Sequence, residues 1–465
     1  MKSIRFRSII IYILSVAFIF GLVLFTAKIF TNGNIWATHA INKHIAQTGS
    51  LSMAGKIIDR NGAVLAQTVN GKRVYHDNQN IRISTLHTVG DNTKFISTAV
   101  QNSYRADLIG YNFITGLTTA GIFGSGSDIT LTLDSQLCSQ AYSLFGQRNG
   151  AAVIYNYKTG EILCMVSTPS YDPANPPVYE NIKDNSSYDG VYLNKCLSSS
   201  LTPGSIFKVV TCAAAIENIK DIDSRTFNCQ GSYTVGNDKI TCVQAHGNIS
   251  FKEAMSQSCN VAFAQLALEL SKDKMTKQAE DMKFNSPIYV DSIALAQSVY
   301  DVKDATDNQL AWSGSGQHTV LTNPLHMAII MGAVANNGIA STPYMVEKIT
   351  SAAKYNNYVG YSQPQQRYLS NETANKIKDM MRYTVKNNYG DSMFPELEVC
   401  AKTGTGEVGE DKNPNGWMIG FSSRNDCPLA FAVVVENSGY GYSTAGPIAK
   451  TLMNTACDKM INRVE

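Results

Sequence analysis

The sequence lacks a charge imbalance. Its 39 Lys and Arg residues face 37 Asp and Glu residues, leaving a formal net charge of +2. No basic block with interleaved aromatics occurs, which excludes the usual electrostatic footprint of a nucleic-acid partner. Internal repeats and low-complexity tracts are also missing, so solenoid and array architectures drop out. Cysteine is not scarce, with ten in 465 residues. What is missing is the short secreted chain in which cysteines form a disulfide framework. Most of the ten are therefore expected to behave as small buried apolar residues.

A long apolar run is present. Ser8 to Ala27, "SIIIYILSVAFIFGLVLFTA", carries no charge and follows Lys2, Arg5 and Arg7. At about 1.5 Å per helical residue it covers roughly the 30 Å of a bilayer's hydrocarbon. A cleaved signal would have a shorter core and a small-residue cleavage site, and no clear site follows. The expectation is an uncleaved single-pass anchor over 8–30 behind a cytoplasmic tail, 1–7. The basic flank should stay inside, placing the rest outside the cell membrane. His39 and His44 follow the anchor five residues apart, not a same-face helical spacing, and read as solvated side chains rather than a metal pair.

The remaining pattern is mixed. "GKIIDRNGAVLAQT" places Asn61-Gly62 between apolar strands, a hairpin signal. Residues 31–127 read as a small extracytoplasmic module, polar and without strong periodicity from about Val69. A second domain, 128–465, begins with the alternating "ITLTL" and a helix capped by Asp134. Helices dominate from Ser205 to about Gln278. Strands return in "EVCAKTGT", "GWMIGFSS" and "PLAFAVVVEN", before a closing helix from about Ala445 to Ile461. Strands at both domain ends with helices between predict an α+β fold, one antiparallel sheet carrying helices on its faces.

Cys229 and Cys242 flank "QGSYTVGNDKIT", which reads as a short hairpin, so a disulfide between them is an open possibility. His246 lies close by. A zinc site is set aside there, because only three donors cluster and their spacing fits no standard finger. No metal and no cofactor is expected.

Three motifs can do chemistry. In "LTPGSIFKVVTCAAAIE", Pro203 and Gly204 break the chain, Ser205 opens an apolar helix, and Lys208 follows one turn on. A serine hydroxyl needs a base, and a lysine serves if burial lowers its pKa. The helix N-terminus suits an oxyanion. Ser271–Lys274 and Ser351–Lys354 share the spacing but read as solvated surface. Ser258-Cys259-Asn260 precedes a second apolar helix. Its serine can relay a proton and its asparagine can bind a lysine and a substrate amide, although both are also ordinary helix caps. Ser423–Asn425 fits that pattern only in a polar turn.

Lys-Thr-Gly occurs twice. Lys158-Thr159-Gly160 falls between two apolar strands and reads as a hairpin tip. Lys402-Thr403-Gly404 follows "ELEVCA", where Lys402 can attract a carboxylate and Thr403 can donate to it. Gly404 would leave room for a substrate backbone, and the N–H of Thr405 could complete an oxyanion hole with that of Ser205.

In this order and these settings the motifs resemble those of the penicillin-binding proteins, specifically the class B monofunctional transpeptidases. "GAAVIYNYKTGEILCMVSTPSYDPANP", "GSGQHTVLTNPLHMAIIMGAVANNG", "GWMIGFSS" and "AFAVVVEN" are similar to family segments. "GKIIDRNGAVLA" resembles the membrane-proximal motif, with Ala54 where an arginine is usual. The segment before Ser127 is shorter than in many relatives. The resemblance implies the penicillin-binding-protein/β-lactamase-like transpeptidase fold. It makes Ser205 the acylated nucleophile, Lys208 its base, and Ser258 and Asn260 the proton relay and amide contact. Lys402 and Thr403 would hold the terminal carboxylate of a D-alanyl-D-alanine peptide. Substrates would be peptidoglycan stem peptides on lipid-linked precursor strands, and β-lactam antibiotics would acylate the same serine. Implied partners are a polytopic glycan polymerase and morphogenetic membrane proteins. A D,D-carboxypeptidase, a β-lactamase and a β-lactam sensor share the motifs and stand as alternatives.

Overall fold

A computed structural model describes residues 2–38, 51–112, 116–117, 126–362, 365–409 and 412–464. His39 and His44 lie outside them. Helix α1 (Lys2–Thr38) contains the apolar stretch Ile4–Ile29, with mean hydropathy 2.7 and no buried side chains. It is the one candidate membrane span among the described residues.

Strands β1 (Ile57–Ile58) and β2 (Val64–Val69) form the expected hairpin, pairing Ile58 with Val64. Asp59 sets the turn. Its Oδ1 accepts the N–H groups of Asn61 and Ala63, each at 2.8 Å, and its Oδ2 accepts the Ser135 hydroxyl at 2.7 Å. Strand β3 (Lys72–Tyr75) pairs with β2. From it Arg73 donates to the Gly55 carbonyl at 2.6 Å, next to the buried Ala54. Strand β4 (Asp128–Leu131) runs parallel to β1. Asp134 caps α2 (Ser135–Phe145) by accepting from the Leu137 N–H at 2.9 Å.

Strands β5 (Gly150–Asn156) and β6 (Ile162–Thr168) flank the first Lys-Thr-Gly. Past the nucleophile motif come α3 (Lys208–Asn218) and four short strands: β7 (Thr226–Cys229), β8 (Ser232–Val235), β9 (Asp238–Thr241) and β10 (Gly247–Ser250). β8 pairs with β9 as the expected hairpin, and β10 returns to pair with β7. Helix α4 (Asn260–Asp281) follows, and then α5 (Pro324–Ala335), a core helix started by Pro324 and capped by Asn323. Strands β11 (Val346–Thr350) and β12 (Asn356–Val359) extend the first sheet, whose order is β12-β11-β4-β1-β2-β3. That sheet therefore draws strands from both sides of residue 127.

Helix α6 (Asn371–Thr384) leads to β13 (Val399–Gly406), β14 (Asn415–Ser422) and β15 (Leu429–Val435). The central sheet has the order β13-β14-β15-β5-β6, antiparallel throughout. It joins the two ends of the domain, as the strand pattern predicts. Every residue of β5, β6, β14 and β15 is buried. Successive side chains face opposite sides, so both faces must be covered. Helices α5 and α7 (Gly441–Val464) both pack on β14 and β15.

Candidate active site

Ser205 lies in a 3₁₀ turn, Gly204–Phe207, that feeds directly into α3. In such a turn residues i and i+3 eclipse, so Ser205 sits above Lys208. The turn is pressed against β13. Gly204 has φ +55°, and a Cβ there would collide with the Thr405 carbonyl. A Cβ on Gly404 would stand 2.7 Å from the Pro203 carbonyl oxygen and 2.9 Å from Ile206 Cγ2. Glycine at 404 therefore admits the Gly204–Phe207 turn of this chain, a constraint that no local sequence pattern signals.

Lys208 is fully buried. Its Nζ lies 3.0 Å from Ser205 Oγ, 2.7 Å from the Ser258 carbonyl, 3.2 Å from Ser258 Oγ and 2.7 Å from Asn260 Oδ1. Four oxygens exceed the three protons of an ammonium. A neutral amine also makes three bonds: two N–H groups serve the carbonyl and amide oxygens, and the lone pair takes one hydroxyl proton, from Ser205 or Ser258 in turn. Burial favours the neutral form and pushes the Lys208 pKa down to about 8. Ser258 is held at φ +57°, an uncommon conformation for a side chain other than glycine.

Lys402 is also fully buried. Its Nζ reaches Ser258 Oγ at 3.0 Å and its neighbour's carbonyl, Thr403 O, at 2.9 Å. Burial, and then the charge of Lys208, push its pKa well below the usual lysine value. Strand alternation puts Lys402 on one face and Thr403 and Thr405 on the other. The lysine expected to meet a carboxylate thus stands behind the serine of the second motif.

A cleft of about 670 Å³ opens in front, with Ser205, Asn260, Trp312, Gln317, Thr405 and Tyr440 on its walls. Gln317 donates to the Thr405 carbonyl at 3.2 Å. Tyr389 was not signalled by any motif. Its hydroxyl lies 2.8 Å from Thr403 Oγ1 and accepts the Thr403 N–H at 2.9 Å, orienting that residue. Among the described residues the one carboxylate on the cleft wall is exposed Glu407.

The duplicate motifs lie elsewhere. Lys158-Thr159-Gly160 is the turn between β5 and β6, with Asn156 Oδ1 accepting the N–H groups of Lys158 and Thr159 and Gly160 at φ +82°. Ser271 and Lys274 are exposed on α4, and Lys354 is exposed after β11. Ser423 is engaged with the Glu398 carbonyl at 2.9 Å.

The structure answers what the sequence leaves open about the cysteines. Cys229 and Cys242 are not bridged, their sulfurs standing 3.7 Å apart where a disulfide needs about 2.05 Å. The disulfide joins Cys427 to Cys457, a pair with no local sequence signal because 30 residues separate them. The donor group near His246 has four members rather than three, since the fold brings in Cys259.

Residues 150–454 match the family described as "Penicillin binding protein transpeptidase domain". The peptidoglycan D,D-transpeptidase PbpA of Mycobacterium tuberculosis is 31% identical over 338 residues, covering 67% of this chain and 68% of that protein. Penicillin-binding protein A of M. tuberculosis, solved as a penicillin G acyl-enzyme complex, superposes with a TM-score of 0.75 at 25% identity, over 88% of this chain and 99% of that one. The D,D-transpeptidase domain of an Eggerthella lenta peptidoglycan glycosyltransferase gives a TM-score of 0.76 at 25% identity, over 87% and 98%.

Proposed function

The chain belongs to the penicillin-binding protein transpeptidases of class B, and from that premise we propose that it cross-links peptidoglycan stem peptides through an acyl-enzyme on Ser205. The observation that carries the residue assignment is the position of Lys208 Nζ, 3.0 Å from Ser205 Oγ and bonded to both polar members of the second motif.

The steps follow from those contacts. Ser205 Oγ attacks the carbonyl of the penultimate D-alanine while its proton passes to neutral Lys208. The oxyanion meets the N–H groups of Ser205 and Thr405. The terminal D-alanine leaves as its amine takes a proton returned through Ser258. The amine of a neighbouring stem peptide then attacks the ester, giving up its proton along the same path and freeing Ser205. Thr403 and Thr405, on the cleft-side face of β13, hold the substrate carboxylate, and Asn260 binds its amide. Lys402 acts through Ser258, as a buried hydrogen-bond donor one contact behind the cleft. A β-lactam enters as a cyclic analogue of the same acyl donor.

The anchor reading places this site outside the cell membrane with the N-terminus inside. The Cys427–Cys457 disulfide supports that orientation, because such bonds persist in oxidising compartments. A polytopic glycan polymerase supplying strands, together with morphogenetic membrane proteins, remains the proposed partner set.

The test is peptide mapping after labelling with a fluorescent penicillin, paired with product analysis on polymerised precursor strands. The expected adduct is on Ser205, absent in Ser205→Ala, with cross-linked dimers as product. An adduct on Ser271 or Ser351 would sink the assignment. Release of D-alanine without cross-links would move the enzyme to the carboxypeptidases, and rapid penicillin turnover to the β-lactamases.

A further inference from the structure

Beside the catalytic cleft, four soft donors converge from separate elements. Cys229 ends β7, Cys242 follows β9, His246 precedes β10, and Cys259 caps α4. Their ligand atoms all lie within 4.8 Å of one another. The Cys229–Cys242 and Cys242–Cys259 sulfurs are 3.7 and 3.8 Å apart, and Cys229 Sγ is 3.3 Å from His246 Nδ1. Around zinc, Zn–S bonds of about 2.3 Å and Zn–N bonds of about 2.0–2.1 Å give tetrahedral edges of roughly 3.8 Å (S···S) and 3.6 Å (S···N). The donors therefore already stand near the corners of such a tetrahedron.

Two further features favour thiolates here. The N–H groups of Asn260 and Val261 donate to Cys242 Sγ at 3.1 and 3.4 Å, and that of Ala262 donates to Cys259 Sγ at 3.4 Å. These are the unpaired donors of the α4 N-terminus, where negative charge is stabilised. Three sulfurs and an imidazole select zinc over the oxygen-seeking divalent cations.

We propose that Cys229, Cys242, His246 and Cys259 bind one zinc ion that fixes the Ser258-Cys259-Asn260 turn to the β7–β10 segment. With all four positions filled by protein the ion is structural, and the three thiol protons leave to solvent on binding. The ion positions catalytic groups without touching substrate. Cys259 is the central residue of the second motif, between the relay Ser258 and the amide contact Asn260. Asn260 Nδ2 also donates to the Thr241 carbonyl at 2.8 Å, and Cys242 is itself on the cleft wall. Ligation would also protect the Cys229–Cys242 pair from oxidation in a compartment that oxidises Cys427 and Cys457.

The experiment uses the full chain, purified in detergent with reductant, loaded with zinc chloride and exchanged into metal-free buffer. Elemental analysis should find about one zinc per chain. Cobalt(II) in its place should show thiolate charge-transfer bands and tetrahedral ligand-field bands. His246→Ala and Cys229→Ser should each bind cobalt roughly tenfold more weakly or worse, with folding verified by circular dichroism. Cys138→Ala, a buried cysteine outside the cluster, should retain the metal. Chelation should slow penicillin acylation severalfold, and added zinc should restore it. Fewer than about one zinc in ten chains after loading under reductant would overturn the site. Full occupancy with acylation indifferent to chelation would overturn the positioning role. Metal content is read without turnover, so its failure leaves the acyl-transfer proposal standing.

Discussion

Lys208 cannot act as a base while it carries its proton, and at neutral pH an ordinary lysine would carry it. Burial brings its pKa to about 8, so the neutral fraction rises with pH and saturates above that value. The rate of penicillin acylation should fall about tenfold for each pH unit below the pKa and level off above it. A rate profile from pH 6 to 10 checks this, and a flat profile would remove Lys208 from the role. The two Lys-Thr-Gly copies separate at the same scale. Lys402→Ala removes a buried partner of Ser258 Oγ. Loss of a buried hydrogen bond that leaves its partner unsatisfied costs about 1–3 kcal/mol, or roughly five- to a hundredfold in acylation rate. Lys158 is an exposed turn residue whose Nζ donates to Asn336 Oδ1 at 2.7 Å. Lys158→Ala should stay within about ±0.5 kcal/mol in stability and leave acylation intact. Second-order acylation rates for both variants decide between the copies, and a slow Lys158 variant beside a normal Lys402 variant would mean the wrong one is assigned.

Between elements, the decisive contact is the nucleophile turn against β13. Gly204 needs both a positive φ and the absence of a Cβ under the Thr405 carbonyl. Gly236, in the β8–β9 turn, has φ +63° but open space around it. Gly236→Ala should therefore carry only the backbone penalty, of about 1–2 kcal/mol. Gly204→Ala should carry that penalty plus displacement of the turn, with a lower melting temperature and slower acylation. Melting curves and acylation rates for the pair provide the test. Equal losses in both variants would mean that the turn does not depend on this close approach.

Across the whole molecule, the closing helix α7 is tied back twice, to the cap of α2 and to the central sheet. Lys459 pairs with Asp134 at 2.8 Å, and Cys457 is bonded to Cys427 in the β14–β15 connection. A loop of 30 residues closed by a disulfide corresponds to about 3–4 kcal/mol in the chain-entropy account. The Cys427→Ser/Cys457→Ser double variant, or the wild type in strong reductant, should unfold at a lower temperature. Its acylation rate at 25 °C should be unchanged, since neither residue lines the cleft. Calorimetry with and without reductant reads this directly, and an unmoved transition would count against the bond as a stabilising element.

Local order fixed several features that the amino-acid sequence alone makes legible. The apolar run of α1, the Asn61-Gly62 hairpin, the Asp134 cap and the strands at both domain ends depend on neighbours within a few residues. The same is true of Ser205 with Lys208 one turn on, and of the first Lys-Thr-Gly as a turn. The order of the three motifs carried the family resemblance for the same reason, since it can be read along the chain. Tertiary structure decided what depends on approach between distant segments. Lys402 lies behind Ser258 rather than in the cleft, because the side chains of β13 alternate and the face that carries Lys402 meets Ser258 and the Gly204–Phe207 turn. Gly404 makes room for Pro203, some two hundred residues earlier. Tyr389 reaches Thr403 from a polar stretch with no motif. Cys229, Cys242, His246 and Cys259 become one donor group only when β7, β9, β10 and the start of α4 fold together. Cys427 finds Cys457 only when α7 packs on the sheet. Spacing along a chain reports periodicity and caps, whereas distances across a core are set by how both faces of the sheet are filled.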